Sequence, residues 1–250
     1  MKDIEMVVFD MAGTTVKDNK EVENCFAEAC EATGLEVSEE RILELQGYAK
    51  REVFQLLWAE RIQDLTELNE RVDFSYRQFR EILENHYENN PVFPTESCLE
   101  VFETLRLNNI KIALTTGFYR KVTNIILSKL GWLDGLNEEF VKEGGRTPIH
   151  ISVTPSEVEA GRPEPFMIQR AMKFLHVSDP SRVIKIGDTP VDLLEGYHAK
   201  CLRSLGVTNG THSYAQLAAC QNDGLLNSLA DLPKVLNLDI QKERRNFFTF

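Results

Sequence analysis

Short apolar segments that alternate with amphipathic helical segments constrain the fold of this 250-residue chain more than any other feature. Val7–Phe9, Lys111–Leu114 and Val183–Ile186 are mainly apolar stretches of strand length, and the residues between them repeat apolar positions at helical spacing. Short apolar runs are typical of strands that are buried on both faces, as in a parallel sheet. Strands that alternate with helices favour such a sheet with helical crossovers. The sequence therefore predicts an α/β fold with a mostly parallel sheet.

A long helical region lies between the first and second predicted strands. Its apolar residues recur at helical spacing, and Pro91 and Pro94 mark its end because proline interrupts helices. After these prolines, Thr95 is expected to cap a helix whose apolar face includes Leu99 and Phe102. We expect two domains: an inserted all-helical domain, residues 17–90, and a core, residues 1–16 and 91–250.

Composition narrows the classes of partner. The formal net charge of -11 argues against binding to nucleic acid or to an anionic membrane. The five cysteines form no C-x-x-C pair and no signal peptide is evident, so we expect reduced thiols and a cytoplasmic location. No apolar run approaches the roughly 20 residues that a membrane-spanning helix needs. An exposed apolar helix of the inserted domain would allow two copies to pair as a homodimer.

Polar residues follow three of the predicted strands. Asp10 follows the first, Thr115 and Thr116 end the second, and Asp188 follows a later one. Because the carboxyl ends of parallel strands meet at one edge of the sheet, these groups can converge there with Arg162. Asp10 and Asp188, with nearby backbone carbonyls, make the all-oxygen surroundings that Mg²⁺ prefers.

The same groups are suited to a phosphoryl substrate. The hydroxyl of Thr116, the backbone amides after Asp10 and the guanidinium of Arg162 can hold phosphoryl oxygens. A carboxylate beside a metal and a bound phosphoryl group is a ready nucleophile, so Asp10 is the candidate to form an aspartyl-phosphate. The metal would lower the repulsion between Asp10 and an anionic substrate.

Four motifs in this order resemble those of the haloacid dehalogenase superfamily, whose hydrolases use an aspartate nucleophile. They are Asp10-Met11-Ala12-Gly13-Thr14-Thr15, Leu114-Thr115-Thr116-Gly117, Arg162, and Gly187-Asp188-Thr189-Pro190-Val191-Asp192. The resemblance covers nearly the whole chain. It implies a Rossmann-like parallel-sheet core, with residues 17–90 as a helical cap domain. The implied ligands are Asp10, Asp188, Asp192 and the Ala12 carbonyl for Mg²⁺, and Thr115, Thr116, Gly117 and Arg162 for the phosphoryl group.

The residue two positions after Asp10 indicates a branch of this superfamily. Its phosphatases carry a second aspartate there, which protonates the leaving alcohol, and the methyl group of Ala12 cannot do so. The segments around Ala12 and Arg162 resemble the phosphonoacetaldehyde hydrolases. That branch cleaves a carbon–phosphorus bond after a cap lysine forms a Schiff base with the substrate aldehyde. The iminium draws electrons, so carbon leaves as an enamine and needs no acid at this position.

Gly47-Tyr48-Ala49-Lys50 resembles the Gly-x-x-Lys cap signature of the same branch. The resemblance implies that Lys50 is catalytic and that Gly47 belongs to the substrate site. A Schiff-base lysine must be neutral, which burial under a closed cap would favour. The chain departs from the branch at three positions: Gln46 in place of methionine, Val53 in place of histidine and Phe118 in place of tyrosine. Tyr48 and Tyr119 are the nearby sources of a replacement hydroxyl.

The leading interpretation is a Mg²⁺-dependent hydrolase of a small organophosphorus substrate. It would cleave the carbon–phosphorus bond of phosphonoacetaldehyde or a related phosphonate through an aspartyl-phosphate. One alternative is a phosphomonoester phosphatase that acts on a small organic phosphate. Another is a non-catalytic phosphate-binding protein, against which the retention of Asp10, Thr116 and Arg162 argues.

Overall fold

A six-stranded parallel sheet forms the centre of the structure, a computed structural model that describes residues 4–238. The strands are β1 (Met6–Phe9), β2 (Lys111–Thr115), β3 (Ile151–Val153), β4 (Val183–Gly187), β5 (Arg203–Val207) and β6 (Leu225–Leu226). Their order across the sheet is β3-β2-β1-β4-β5-β6, and every adjacent pair is parallel. The prediction of an α/β fold with a parallel sheet is confirmed.

Helices connect and cover these strands. Within residues 4–238 they are α1 (Glu21–Thr33), α2 (Glu39–Glu44), α3 (Lys50–Ala59), α4 (Leu65–Asn89), α5 (Cys98–Leu107), α6 (Arg120–Lys129), α7 (Phe166–Phe174), α8 (Pro190–His198), α9 (Tyr214–Ala218) and α10 (Leu232–Val235). None of these described helices is both long enough and apolar enough to cross a membrane.

Alternate residues of β1 enter two apolar layers. Val7 and Phe9 join one buried cluster, in which the Phe9 ring lies 5.3 Å from that of Phe102 on α5. Met6 and Val8 join the cluster on the other side of the sheet. This burial on both faces explains why the strand reads as a continuous apolar run rather than as an alternation.

Strand order places the end of β1 at the natural ligand site of the sheet. The chain first builds β2 and β3 on one side of β1 and then crosses to β4 on the other side. Phe9 pairs in register with Leu114 of β2 and Ile186 of β4, so Asp10 emerges between these two strand ends. Open parallel sheets bind ligands at this position, where the strand order reverses.

The helices α1 to α4 pack on one another between β1 and β2. The ring of Phe26 lies 4.7 Å from that of Phe54 and 5.9 Å from that of Phe79, which joins α1, α3 and α4. Lys17 N donates to Phe93 O at 2.9 Å, so the chain enters and leaves this helical region side by side. The division into a core and a separately moving cap domain stays a prediction.

The start of α5 differs from the sequence-based expectation. Thr95 does not cap the helix, because its hydroxyl donates to Thr14 O at 2.7 Å and the helix begins at Cys98. Leu99 is 47% exposed, whereas Cys98 and Phe102 are buried. The buried face of α5 begins at Cys98. Cysteine can occupy such a position because it packs as a small hydrophobic residue.

Candidate active site

Three buried carboxylates meet at the carboxyl edge of the sheet. Asp10 follows β1, Asp188 follows β4 and Asp192 lies in the first turn of α8, and their oxygens come within 4.8 Å of one another. Burial raises the pKa of Asp10 well above its usual range; the Arg162 charge opposes this, and the charges of Asp192 and Asp188 add to it. Burial and the Asp192 charge likewise raise the pKa of Asp188.

The turn after β1 is folded against Asp188. Thr14 Oγ1 donates to Asp188 Oδ1 at 2.9 Å, and Thr15 Oγ1 donates to Asp10 O at 2.8 Å. Gly13 adopts a left-handed φ of 83°, and an added Cβ there would overlap the Asp188 carboxylate. The glycine of the first motif is therefore needed for both the turn and the close approach.

Arg162 spans two of the acids. Its Nη2 donates to Asp10 Oδ1 at 2.7 Å and its Nη1 donates to Asp192 Oδ1, while the side chain is 2% exposed. Burial alone would lower the pKa of Arg162, but the two carboxylates outweigh it and raise the pKa. Arg162 Nε has no partner within the described chain, which leaves a buried donor available to an anionic ligand.

Two buried charged residues that the sequence analysis did not identify, Lys185 and Glu195, form a network with the site. Lys185 Nζ lies 3.0 Å from Asp192 Oδ1, 2.8 Å from Glu195 Oε2 and 2.8 Å from Thr115 Oγ1. The Thr115 hydroxyl therefore belongs to this buried network. Thr115 is not among the residues that line the cavity next to Asp10. A lysine inside an otherwise apolar strand was the available signal, since lysine is almost never fully buried without a partner.

The donor set and its charge fit Mg²⁺. At this edge the described buried groups comprise the carboxylates Asp10, Asp188, Asp192 and Glu195 and their cationic partners Arg162 and Lys185. Carboxylates therefore outnumber these cations by two formal charges. A divalent cation would balance that excess, and buried charge requires such compensation. Carboxylate and carbonyl oxygens are also the ligands that Mg²⁺ prefers.

A cavity of about 40 Å³ lies against Asp10. Seven of the residues singled out in the sequence line it: Asp10, Ala12, Gly47, Lys50, Thr116, Gly117 and Arg162. Asp188 and Asp192 are buried behind this lining. Thr116 Oγ1 accepts from Phe118 N at 3.2 Å, so its own proton remains available to a ligand. The volume admits only a small molecule.

Gly47 brings the helical region onto the core above Asp10. An added Cβ at Gly47 would overlap Val191 Cγ1 and lie 2.6 Å from Thr189 Oγ1, and the residue has a left-handed φ of 83°. On the opposite side, an added Cβ at Gly117 would lie 2.8 Å from Gly47 O. Both glycines therefore permit the backbone contact that closes the cavity.

Lys50 reaches the cavity from the first residue of α3. It is 7% exposed, and its Nζ donates to Leu45 O at 3.2 Å and to Gln46 Oε1 at 3.3 Å. Burial first, and then the charge of Arg162, lowers the pKa of Lys50 to about 7. A large fraction of Lys50 is thus neutral near pH 7, the state in which an amine is a nucleophile.

The chain resembles known proteins over most of its length. A family model described as haloacid dehalogenase-like hydrolase matches residues 4–199. The chain belongs to this family of hydrolases. A phosphonoacetaldehyde hydrolase from Bacteroides fragilis is 31% identical over 234 residues, covering 86% of this chain and 80% of that protein. A phosphonoacetaldehyde hydrolase from Latilactobacillus sakei is 29% identical, covering 94% of this chain and 89% of that protein.

Solved structures show the same fold. The crystal structure of a hydrolase from Pseudomonas syringae superposes with a TM-score of 0.73 at 20% identity, and it covers 93% of this chain and 98% of that chain. The Rossmann-like core expected from the sequence is therefore confirmed as the fold of this haloacid dehalogenase-like hydrolase.

The departures from the phosphonoacetaldehyde hydrolase pattern fall on and near the cavity of this hydrolase. Val53 is 2% exposed and packs in the apolar core, so it offers no acid or base. Phe118 lines the cavity, as does Tyr48. Tyr119 OH donates to Glu84 Oε1 at 2.8 Å, and burial first, and then Glu84, raises the pKa of this phenol. Tyr119 is therefore engaged with α4 and does not replace the missing hydroxyl.

Proposed function

We propose that this hydrolase cleaves the carbon–phosphorus bond of a small carbonyl phosphonate, with phosphonoacetaldehyde as the leading candidate. The observation that carries the proposal is the placement of a buried lysine of lowered pKa, Lys50, in the same cavity as Asp10. Ala12 lies in that cavity where a phosphatase of the superfamily would carry an acid. The names of the two bacterial relatives support this choice of substrate.

Lys50 and Asp10 have separate tasks in the proposed reaction. Neutral Lys50 Nζ attacks the substrate carbonyl carbon, and loss of water gives an iminium. Asp10 then attacks phosphorus, and the electron pair of the carbon–phosphorus bond moves into the iminium to give an enamine. Water hydrolyses the resulting aspartyl-phosphate, and protonation and hydrolysis of the enamine release the aldehyde and free Lys50. Thr116 and Arg162 hold the phosphoryl oxygens during the attack.

The proposed cofactor is Mg²⁺, held by Asp10, Asp188, Asp192 and the Ala12 carbonyl. When bound, it would reduce the repulsion between the Asp10 carboxylate and the phosphonate. The charge excess of the buried carboxylates and their mutual separation support this assignment. Arg162, which pairs with Asp10, would supply positive charge to the same substrate.

We assign residues 17–90 the role of a cap over the core. The side-by-side entry and exit at Lys17 and Phe93 would act as the hinge, and Gly47 would make the contact that closes the site. Closure excludes water from the iminium and brings Lys50 to the substrate. A cytoplasmic location and pairing of two copies through the cap stay predictions, which cell fractionation and light scattering would test.

Borohydride trapping tests the proposal. Reduction of an enzyme–phosphonoacetaldehyde mixture is expected to inactivate the enzyme and to add the mass of the reduced two-carbon product to Lys50, located by peptide mass spectrometry. Lys50→Ala is expected to lose both labelling and turnover. Asp10→Asn is expected to lose turnover but to carry on Lys50 the reduced adduct that still contains the phosphonate. Full turnover of phosphonoacetaldehyde by Lys50→Ala would remove the Schiff-base step.

Asp18 favours a phosphomonoesterase as the second candidate function. Its carboxyl lines the cavity, and burial first, and then the hydrogen bond with Glu21, raises the pKa of Asp18 to about 8. A carboxyl that remains protonated at neutral pH can protonate a leaving alkoxide, which is the task that Ala12 cannot perform. A screen of small phosphate esters distinguishes the two functions: efficient hydrolysis that Asp18→Asn abolishes and Lys50→Ala leaves intact would favour the phosphatase.

A further inference from the structure

Gln46 presents an unsatisfied hydrogen-bond donor at the cavity. The residue is 6% exposed and lines the cavity together with Asp10 and Lys50. Its Oε1 accepts from Lys50 Nζ, whereas its Nε2 is buried without a partner among residues 4–238. An unpaired buried donor destabilises the folded protein, and such groups in native proteins call for a specific explanation.

The orientation of the amide follows from Lys50. The Gln46 oxygen accepts from Lys50 Nζ, so the amide nitrogen is the group left without a partner among residues 4–238. The backbone is held as well, because Gln46 N donates to Leu43 O at 3.1 Å and Gly47 fixes the next residue against the core. The free N–H group therefore belongs to a fixed part of the closed site.

We infer that Gln46 Nε2 donates a hydrogen bond to the carbonyl oxygen of the substrate while Lys50 Nζ attacks the carbonyl carbon, which makes Gln46 a catalytic residue for imine formation. This inference rests on the proposed function. Nε2 and Oε1 of Gln46 are bonded to the same carbon atom, so the free donor lies next to the oxygen that contacts Lys50 Nζ. The inference requires that a carbonyl group approached by Nζ present its oxygen to this donor.

The charge that the amide would stabilise appears in the first covalent step. The Nζ lone pair forms the nitrogen–carbon bond, and the π pair of the carbonyl moves onto oxygen as an alkoxide. That oxygen takes the proton released by Nζ, giving a carbinolamine, which takes one further proton from solvent and loses water to give the iminium. Gln46 keeps its own protons throughout, so it stabilises the alkoxide without acting as an acid.

The inference accounts for two departures of the sequence together. Val53, at the position where the resembling branch has a histidine, is buried among apolar residues and offers no donor. Gln46, at the position where that branch has methionine, adds a donor beside the lysine. An amide in place of a thioether supplies a polar contact for imine formation that the valine cannot.

The test measures the maximal rate of borohydride trapping with saturating phosphonoacetaldehyde. Gln46→Met is expected to lower this rate by about 10²-fold, the usual effect of removing one donor to a developing oxyanion. Gln46→Glu keeps the side-chain size and an acceptor toward Lys50 but lacks the N–H group, so it is expected to fall to a similar degree at a pH where Lys50 is neutral. It keeps the inference testable if the methionine variant fails to fold.

Gln55→Met is the matched control. This glutamine lies on α3 outside the described lining of the cavity, so the same replacement there is expected to leave the trapping rate within about 2-fold of wild type. Equal trapping rates in wild type and in both Gln46 variants would overturn the role of Gln46 alone. Absence of trapping in wild type would overturn the Schiff-base function and this inference with it.

Discussion

At the scale of single residues, the proposed function makes the protonation state of Lys50 control activity. Its pKa is lowered to about 7, chiefly by burial and then by Arg162, while Asp18 and Cys30 oppose the shift. The reactive form is the neutral amine, so kcat/KM for phosphonoacetaldehyde is expected to fall as the pH drops below about 7. A pH–rate profile measures this fall in kcat/KM, which forms the acid limb of the profile.

The Gln46→Glu variant shows whether that limb belongs to Lys50. A carboxylate in contact with Nζ favours the charged amine, so the acid limb is expected to move up by about 1 unit or more. The pKa of the substrate phosphonate does not depend on residue 46. A limb caused by the substrate would therefore stay at the same pH in both proteins. A limb at the same pH in wild type and variant would assign it to another group.

Lys185 is expected to be a stability determinant because it is buried with its partners. Lys185→Met leaves Asp192 and Glu195 without their shared cation, and loss of one partner from a buried pair typically costs about 3–5 kcal/mol. Lys121→Met is the matched control, since Lys121 also pairs with a glutamate but is exposed, and exposed pairs contribute about 1 kcal/mol or less. Urea denaturation compares the free energies of unfolding; equal losses would contradict the buried network.

The site residues that the sequence predicted lie at similar positions in the fold. Asp10, Thr116 and Arg162 lie at strand ends or helix starts within ordered motifs, so their convergence followed from the parallel sheet. The lysine inside an apolar strand was a signal for Lys185, but its partners and the unpaired amide of Gln46 were not predictable, because the sequence does not show which buried polar atoms find partners. Satisfaction of hydrogen bonds depends on side chains from several elements and is visible only in three dimensions.

At the scale of elements, the contact between the helical region and the core depends on Gly47. Gly47→Ala is expected to lower kcat/KM by more than about 10-fold, because the added methyl would separate the closing loop from Thr189 and Val191. Gly34→Ala is the matched control, since Gly34 has a left-handed φ of 73° and open space around its Cβ position.

Both alanine variants are expected to lose stability to a similar extent from the left-handed backbone, about 1–2 kcal/mol. Only Gly47→Ala is expected to lose activity. Steady-state kinetics and thermal unfolding of the two proteins separate these effects. Parallel losses of activity would show that the Gly47 contact has no special part in closure.

Elements were easier to predict from the sequence than their faces. The strands and the helical region from α1 to α4 followed from apolar spacing and from prolines. The start of α5 did not, because Thr95 satisfies a carbonyl of the turn after β1 instead of the helix end, and Leu99 is exposed; Phe102 is buried as expected. Such long-range bonds override local capping preferences, which act over one helical turn.

At the scale of the whole molecule, the proposed Mg²⁺ site predicts that metal binding stabilises the fold, because the metal would offset buried negative charge. A cation that binds only the folded protein stabilises it by mass action, by about 2.7 kcal/mol at 100 times its dissociation constant. For a chain of this size, that corresponds to a rise in Tm of roughly 5–10 °C on addition of Mg²⁺.

Asp188→Asn tests whether the carboxylate cluster is responsible. The variant removes one buried charge and one ligand, so Mg²⁺ is expected to raise its Tm by less than half as much as in wild type. Asp73→Asn, which changes an exposed carboxylate on α4, is expected to keep the full rise. An equal rise in all three proteins would place the stabilising cation elsewhere. A reduced rise in Asp188→Asn alone would show that the metal stabilises the folded chain through the acids that surround Asp10. The residues that prepare the nucleophile would then also be the source of the excess negative charge that the metal offsets.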